Sequence, residues 1–176
     1  YVPLKNLSHF SLRQSIQKPD QIVSRAKSLG LEACGLTDIC SLAGTIDFHG
    51  ECKKSGIKPI LGLKLKTPDG YITVYAQNKI GWKNLIKLVS KSNDNLINEV
   101  PITGLGLLQQ YSEGLIGLAG SPSSLFDQIN HTDVNTVETI KDIFGGRFYM
   151  DIHASEIKSR KEELRELAGK AGIKCI

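Results

Sequence analysis

From Pro19 onward, short apolar runs of strand length alternate with longer runs whose apolar residues recur at helical spacing. A chain so ordered can fold as a mainly parallel sheet with helices packed against it, either open or closed into a barrel. The densest part is Lys27 to Leu65, KSLGLEACGLTDICSLAGTIDFHGECKKSGIKPILGLKL. It places Thr37 and Asp38 at the end of one strand and Gly62, Leu63 and Lys64 near the end of another. In α/β proteins chemistry gathers at those ends.

The individual elements follow from local signals. Tyr1 to Leu4 reads as a short strand. KPDQIVSRAKSLG has Pro19 in a first helical turn, Ile22, Val23 and Ala26 on one face, and Gly30 as the stop. ACGLT (33–37) is a buried strand. Gly44 to Ser55 is a helix with Ile46, Phe48, His49 and Cys52 as its apolar residues, closed by Gly56. KPILGLKLK (58–66) and YITVYA (71–76) flank the turn signal PDG and predict a β-hairpin inserted in the alternating order. WKNLIKLVSKS (82–92) is a helix, Ser92 to Thr103 a polar connection, and GLGLLQQYS a short helix. GLIGLAG (114–120) is a strand, 133–145 a helix, RFYMDIH (147–153) a strand, 155–172 a helix supported by a Glu156–Arg160 pair, and IKCI (173–176) a strand.

Composition excludes several classes. The 176 residues, with a net charge of +4, suffice for one domain with a sizeable core. No apolar run approaches the roughly 18 residues of a membrane helix. The expectation is a cytoplasmic chain without membrane association. Cys34, Cys40, Cys52 and Cys175 have no CxxC or zinc-finger spacing, so Cys34 and Cys175, in strand-like runs, are expected as buried free thiols. Charges in IKSRKEELREL (157–167) are mixed in sign, as on a solvated helix face. No GxGxxG joins a strand to a helix and no GxxxxGK[ST] occurs, which argues against those two modes of nucleotide binding.

The segment SHFSLRQSIQKPDQIVSRAKSLGLEACGLTDICSLAGTIDFHGECKKSGIKPILGLKL, continuing through YITVYAQNKIGWKNLIKLVS and more weakly through GLIGLAGS and FGGRFYMDI, resembles the PHP (polymerase and histidinol phosphatase) domain at the N-terminus of the bacterial and phage DNA polymerase III alpha subunit. The resemblance implies a distorted barrel of about seven parallel strands with outer helices and a metal site at the C-terminal strand ends. Residues 1–176 would then be one PHP-like domain, the N-terminal part of a larger polymerase subunit. IKCI after a long helix leads to the expectation of a piece truncated before the last strands.

Active members of that family hold zinc or manganese, and the resemblance allows each ligand position to be compared. The HxH pair corresponds to Lys5 and Leu7, and the following acidic position to Gln14. Thr-Asp-His corresponds to Thr37, Asp38 and Ile39, and the glutamate after the next strand to Lys64. Two further histidines correspond to Ser121 and Ser155. None of Lys5, Leu7, Gln14, Ile39, Lys64, Ser121 or Ser155 is a metal-ligand type. The resemblance therefore implies a degenerate metal site with no catalytic residue and no cofactor. Asp38, Asp151 and His153 remain as a residual polar site. Asp38 is expected to organise its loop. Asp151 and His153, two apart on a strand, share a face and with Cys40 and His9 would have to supply any substitute metal site. Lys5 and Lys64 are expected to neutralise the old pocket or to meet a carboxylate such as Asp38. His49 and His131 are expected in core or surface roles.

Three functions follow as expectations. The first is a non-catalytic PHP domain of a DNA-directed DNA polymerase, a nucleotidyltransferase of DNA replication. It would brace the rest of the alpha subunit, dock a partner such as a proofreading exonuclease, and meet DNA through the full-length protein. The alternatives are a metal-dependent phosphoesterase or 3′–5′ exonuclease with rearranged ligands, and a freestanding small interaction barrel.

Overall fold

A computed structural model describes residues 1–120, 134–153 and 156–176, with the side chains of 134–136 excepted. In chain order the elements are α1 (Pro19–Ser28), β1 (Ala33–Leu36), α2 (Thr45–Ser55), β2 (Lys58–Thr67), β3 (Gly70–Ala76), α3 (Lys79–Ser92), β4 (Leu96–Ile97), β5 (Val100–Pro101), α4 (Leu105–Gln110), β6 (Leu115–Ala119), α5 (Val134–Phe144), β7 (Phe148–Met150), α6 (Lys158–Ala171) and β8 (Lys174–Cys175). A single 3-10 turn at Gly145–Arg147 leads into β7.

Helix boundaries follow the local chemistry. α1 starts on Pro19, whose missing N–H costs nothing there, and Gly30 follows its end at φ 66°. α2 stops at Gly56, φ 72°. α3 begins three residues earlier than its apolar pattern suggests. The Asn78 side chain accepts hydrogen bonds from the N–H groups of Ile80 at 2.9 Å and Gly81 at 3.0 Å, capping the first turn.

Six strands form one curled sheet in the order β1-β2-β3-β6-β7-β8. β1–β2, β6–β7 and β7–β8 are parallel, whereas β2–β3 and β3–β6 are antiparallel. The sheet is thus the mostly parallel half-barrel expected of the strand and helix order, with the PDG hairpin as its antiparallel insertion. Period-two alternation divides its faces. Leu63 and Leu65 of β2, with Ile72 and Val74 of β3, are fully buried on the outer face against Leu85 and Leu88 of α3 and residues of α5 and α6. Each such leucine contributes about 1.5–3 kcal/mol of burial. A second cluster, Ile22, Val23, Ala26, Cys34, Leu36, Phe48, Cys52 and Ile57, packs α1 and α2 on β1.

The inner face has two storeys. Near the N-terminal ends of the parallel strands, Leu4, Ile60, Tyr75, Ala76, Ile116, Leu118, Tyr149 and Ile176 line an apolar cavity of about 280 Å³. Towards the C-terminal ends, the register pairs Lys64 with Thr73 and Lys66 with Tyr71, which makes the upper storey polar.

Several local expectations are corrected. Tyr1–Leu4 forms no strand. The arm still runs beside β1, with Gly35 N–H donating to Pro3 O at 2.8 Å and Thr37 N–H to Asn6 O at 2.9 Å. The connection 92–103 contains the two-residue strands β4 and β5. On α2 the inward residues are Thr45, Phe48 and Cys52, while Ile46 is 72% exposed and His49 is also exposed, because the spacing 45, 48, 52 follows one helical face. β7 stops at Met150, so Asp151 and His153 lie beyond it. Arg160 pairs with Glu163 at 3.2 Å, and Glu156 precedes α6. Cys34 is buried with its sulfur 4.0 Å from that of Cys52, but Cys175 is exposed. No helix among the described residues is long and apolar enough to cross a membrane.

The arm depends on a missing side chain. A Cβ at Gly35 would sit 2.2 Å from the Leu4 carbonyl oxygen. Gly35→Ala is expected to push the arm off β1 at a cost of about 1–3 kcal/mol. A urea midpoint unchanged from the wild type would contradict this.

Candidate functional site at the mouth of the half-barrel

The end of β1 supplies the most constrained group. Asp38 is 1% exposed. Its Oδ1 accepts hydrogen bonds from the Ser8 N–H and the Ser11 hydroxyl, and its Oδ2 from the Ser8 hydroxyl, each at 2.6 Å. Ser11 Oγ in turn accepts from the Ile39 N–H at 3.0 Å. A buried carboxylate needs such donors. Here they are all protein groups of the arm, so Asp38 fastens the arm to the strand end. Gly44 makes the space, since a Cβ there would lie 3.0 Å from Asp38 Oδ2.

Beyond Asp38 the chain continues along β2. Lys64 N–H donates to Asp38 O at 3.0 Å, Cys40 N–H donates to Lys64 O at 2.9 Å, and Ile39 and Lys64 form a parallel bridge. Lys64 and Lys66 share one face of β2, and each ammonium lies 4.7 Å from the centre of the Tyr71 ring. Burial, and then the charge of Lys5, pulls the Lys64 ammonium below the usual lysine range. Burial pushes the Tyr71 phenol up, and the Cys40 thiol is also raised by burial, partly offset by a hydrogen bond from the Lys66 backbone and its charge.

Lys5 forms an ion pair with Asp151, reaching from the arm to the end of β7 across 146 residues of sequence. Lys5 therefore does meet a carboxylate, but it is Asp151, because Asp38 is already saturated by Ser8 and Ser11. Below the pair, burial and then the negative charge of Asp151 hold the Tyr75 phenol far above its usual range.

Other residues of interest disperse. Leu7 is half-buried, and its carbonyl accepts from Ser15 Oγ at 2.7 Å. Gln14 is exposed in a turn, its N–H donating to Ser11 O at 3.0 Å. His153 is exposed, unlike its neighbour Asp151. The His9 ring lies 4.2 Å from that of Phe10, tilted by 36°, with a buried, unpartnered Nδ1. Ser121, Ser155 and His131 lie outside the described residues.

Among the described residues, the side chains at this mouth do not fit a divalent metal. The ammonium groups of Lys5, Lys64 and Lys66 occupy it, the inward carboxylate Asp151 is taken by Lys5, and Ile39 has no donor atom. Among the described residues no group of three or more His, Cys, Asp or Glu is placed to hold a metal ion. Asp151, His153, Cys40 and His9, which a substitute metal site would need, are therefore not gathered as metal ligands. Sequence reasoning missed Ser8 and Ser11, whose signal was two serines three apart in a polar loop facing a strand-end aspartate.

The arrangement pairs one ammonium group with a carboxylate and sets two more against an aromatic face. Asp151→Asn would remove the carboxylate that Lys5 meets here and strengthen its repulsion with Lys64, and is expected to cost about 1–3 kcal/mol. Lys64→Met should stabilise, by less than about 1 kcal/mol once solvent screening is allowed for. The two changes together should be less harmful than their sum. The sign of the pH dependence is fixed by the lowered Lys64 value. Below it, both folded and unfolded chains carry the charge and the folded one is penalised. As pH rises from the lowered value towards 10.5 the penalty disappears, so the Lys64→Met gain should be largest near neutral pH and vanish in alkali. Denaturant titrations of the four chains at several pH values would read this, and purely additive effects would contradict it.

Comparison with known proteins agrees with the fold. The PHP domain pattern matches residues 3–155. The DNA polymerase III subunit alpha of Borreliella burgdorferi is 31% identical over 180 residues, covering 91% of this chain and 16% of that protein. That of Aquifex aeolicus is 31% identical over 205 residues, covering 100% of this chain and 18% of that protein. The chain thus spans less than a fifth of the length of these relatives. Among solved structures, a Bifidobacterium adolescentis protein described as a metal-dependent phosphoesterase superposes with a TM-score of 0.69 at 10% identity, over 99% of this chain and 85% of its own. An amidohydrolase from Chromobacterium violaceum does so with a TM-score of 0.69 at 9% identity, over 99% and 84%. At such identities the superpositions speak to the fold. Half-barrel, segment order and matched length together place the chain in the PHP domain family.

Proposed function

We propose that this domain is the N-terminal PHP domain of a replicative DNA polymerase III alpha subunit and that it works without metal and without catalysis of its own. In this reading it braces the polymerase core and offers a docking surface to a replisome partner such as a proofreading exonuclease. The similarity to alpha subunits along almost the whole chain supports the parentage. One observation carries the non-catalytic part: the Lys5 ammonium holds Asp151 at the mouth, beside the Lys64 ammonium, where the resemblance implies metal ligands. Fixed cations there would repel a divalent ion and stand in for part of its charge. Likeness in fold to phosphoesterases adds no ligands to the mouth, so it lends no support to the enzymatic alternative.

The test is metal content and hydrolysis together. Purified chain should carry far less than one equivalent of zinc or manganese and should not turn over a phosphate ester when either is added. Chelator should leave the melting temperature within about 2 °C, since removing a ligand bound only to the folded state would lower it by more. Stoichiometric metal with turnover would overturn the proposal.

A further inference from the structure

The charge of this chain is unevenly placed. Lys and Arg number 22 and Asp and Glu 18. α3 carries Lys79, Lys83, Lys87 and Lys91 and no acidic residue. Leaving those four aside, the rest of the chain has 18 cationic residues against 18 acidic ones. The whole formal excess of +4 therefore equals the charge of one helix.

Its geometry is ordered. The four lysines recur every fourth residue, wind gently along the solvent side, and extend over about 18 Å of helix. All are exposed, opposite the buried Gly81, Asn84, Leu85, Leu88 and Ser92. Like charges at this spacing destabilise a helix. The other long charged helix, α6, avoids that by pairing Arg160 with Glu163 and Lys170 with Glu166. On α3 only Lys91 has an acidic partner among the described residues, Asp94 at 3.4 Å, beyond the helix end, and Lys87 lies 5.4 Å over the Tyr111 ring. Ile80 and Ile86, about half exposed, stand at opposite borders of the row and form no patch within it.

We propose that the outer face of α3 is a docking ridge for the phosphate backbone of a nucleic acid. Compact ammonium groups in a regular row, with no arginine forks and no run of hydrogen-bonding side chains between them, suit sequence-independent contact with a uniformly charged polymer. An acidic protein segment would meet the same charges but would be expected to bury a continuous apolar strip beside them, whereas the exposed Ile80 and Ile86 are split between the two borders of the row. The proposal stands on the charge distribution of α3 and holds whether or not the domain is metal-free or part of a polymerase.

Fluorescence anisotropy with labelled single-stranded and duplex oligonucleotides of mixed sequence tests it. The wild-type chain should bind at low salt, with log K falling against log salt at a slope of up to about −3 for single strands or −4 for duplex, whichever form it prefers. The chain with Lys79→Gln, Lys83→Gln, Lys87→Gln and Lys91→Gln should bind at least ten-fold more weakly, with a melting temperature equal to or above the wild type. Lys27→Gln with Lys158→Gln, the same chemistry elsewhere, should bind normally. If the four-fold variant fails to fold, the pairs 79/83 and 87/91 should each lower the slope by about half. Absence of wild-type binding at low salt, binding indifferent to the four lysines, or capture of poly-glutamate in preference to both oligonucleotides would overturn the proposal.

Discussion

The buried carboxylate of Asp38 holds the upper half of this structure together. A charge with almost no solvent access must be satisfied by protein donors or it unfolds its surroundings. Ser8 and Ser11 satisfy it from the arm, and by doing so they lay the arm along β1. That placement decides where Lys5 stands, and Lys5 decides what becomes of Asp151. The ion pair at the mouth is downstream of a hydrogen-bond cluster some residues away on the same arm.

Charge at the mouth is positive on balance. The Lys5–Asp151 pair faces Lys64, and the aromatic ring of Tyr71 accepts both Lys64 and Lys66 against its face. Under this lies an apolar cavity lined by isoleucines, leucines and tyrosines of the strands, the arm and the last residue. Low polarity below strengthens every interaction above it, including the repulsion between Lys5 and Lys64. A mouth of this kind is organised for shape, with ammonium and phenol groups packed against one another.

How much of this could be read from residues alone depends on the range of the interaction responsible. The PDG turn and the glycine stops at Gly30 and Gly56 act within a few residues, and the hairpin and helix ends fall where those signals put them. β4 and β5 carry two residues each, too short to impose a period. Ile46 and His49 looked inward by composition, but Thr45, Phe48 and Cys52 hold the face that α2 turns to β1. At the mouth, Asp151 and His153 shared a presumed strand in the sequence, yet the partner of Asp151 comes from the opposite end of the chain. No local pattern encodes that choice. It results from Asp38 having been satisfied by serines, which leaves Lys5 to another acid.

The hairpin of β2 and β3 also has a kinetic consequence. Its register closes through a turn of two residues, between Thr67 and Gly70, whereas the Lys5–Asp151 contact closes a loop of 146. Loop-closure entropy grows with that separation, and contacts of long range are gained late when short ones are available to build on. The barrel wall should therefore form from its middle outward, with the arm docking last. In φ-value terms, positions such as Ile72 belong to the early structure and Leu4 to the late. On this account the mouth is also the first part to open, so its ion pair can be lost and regained while the wall behind it stays folded.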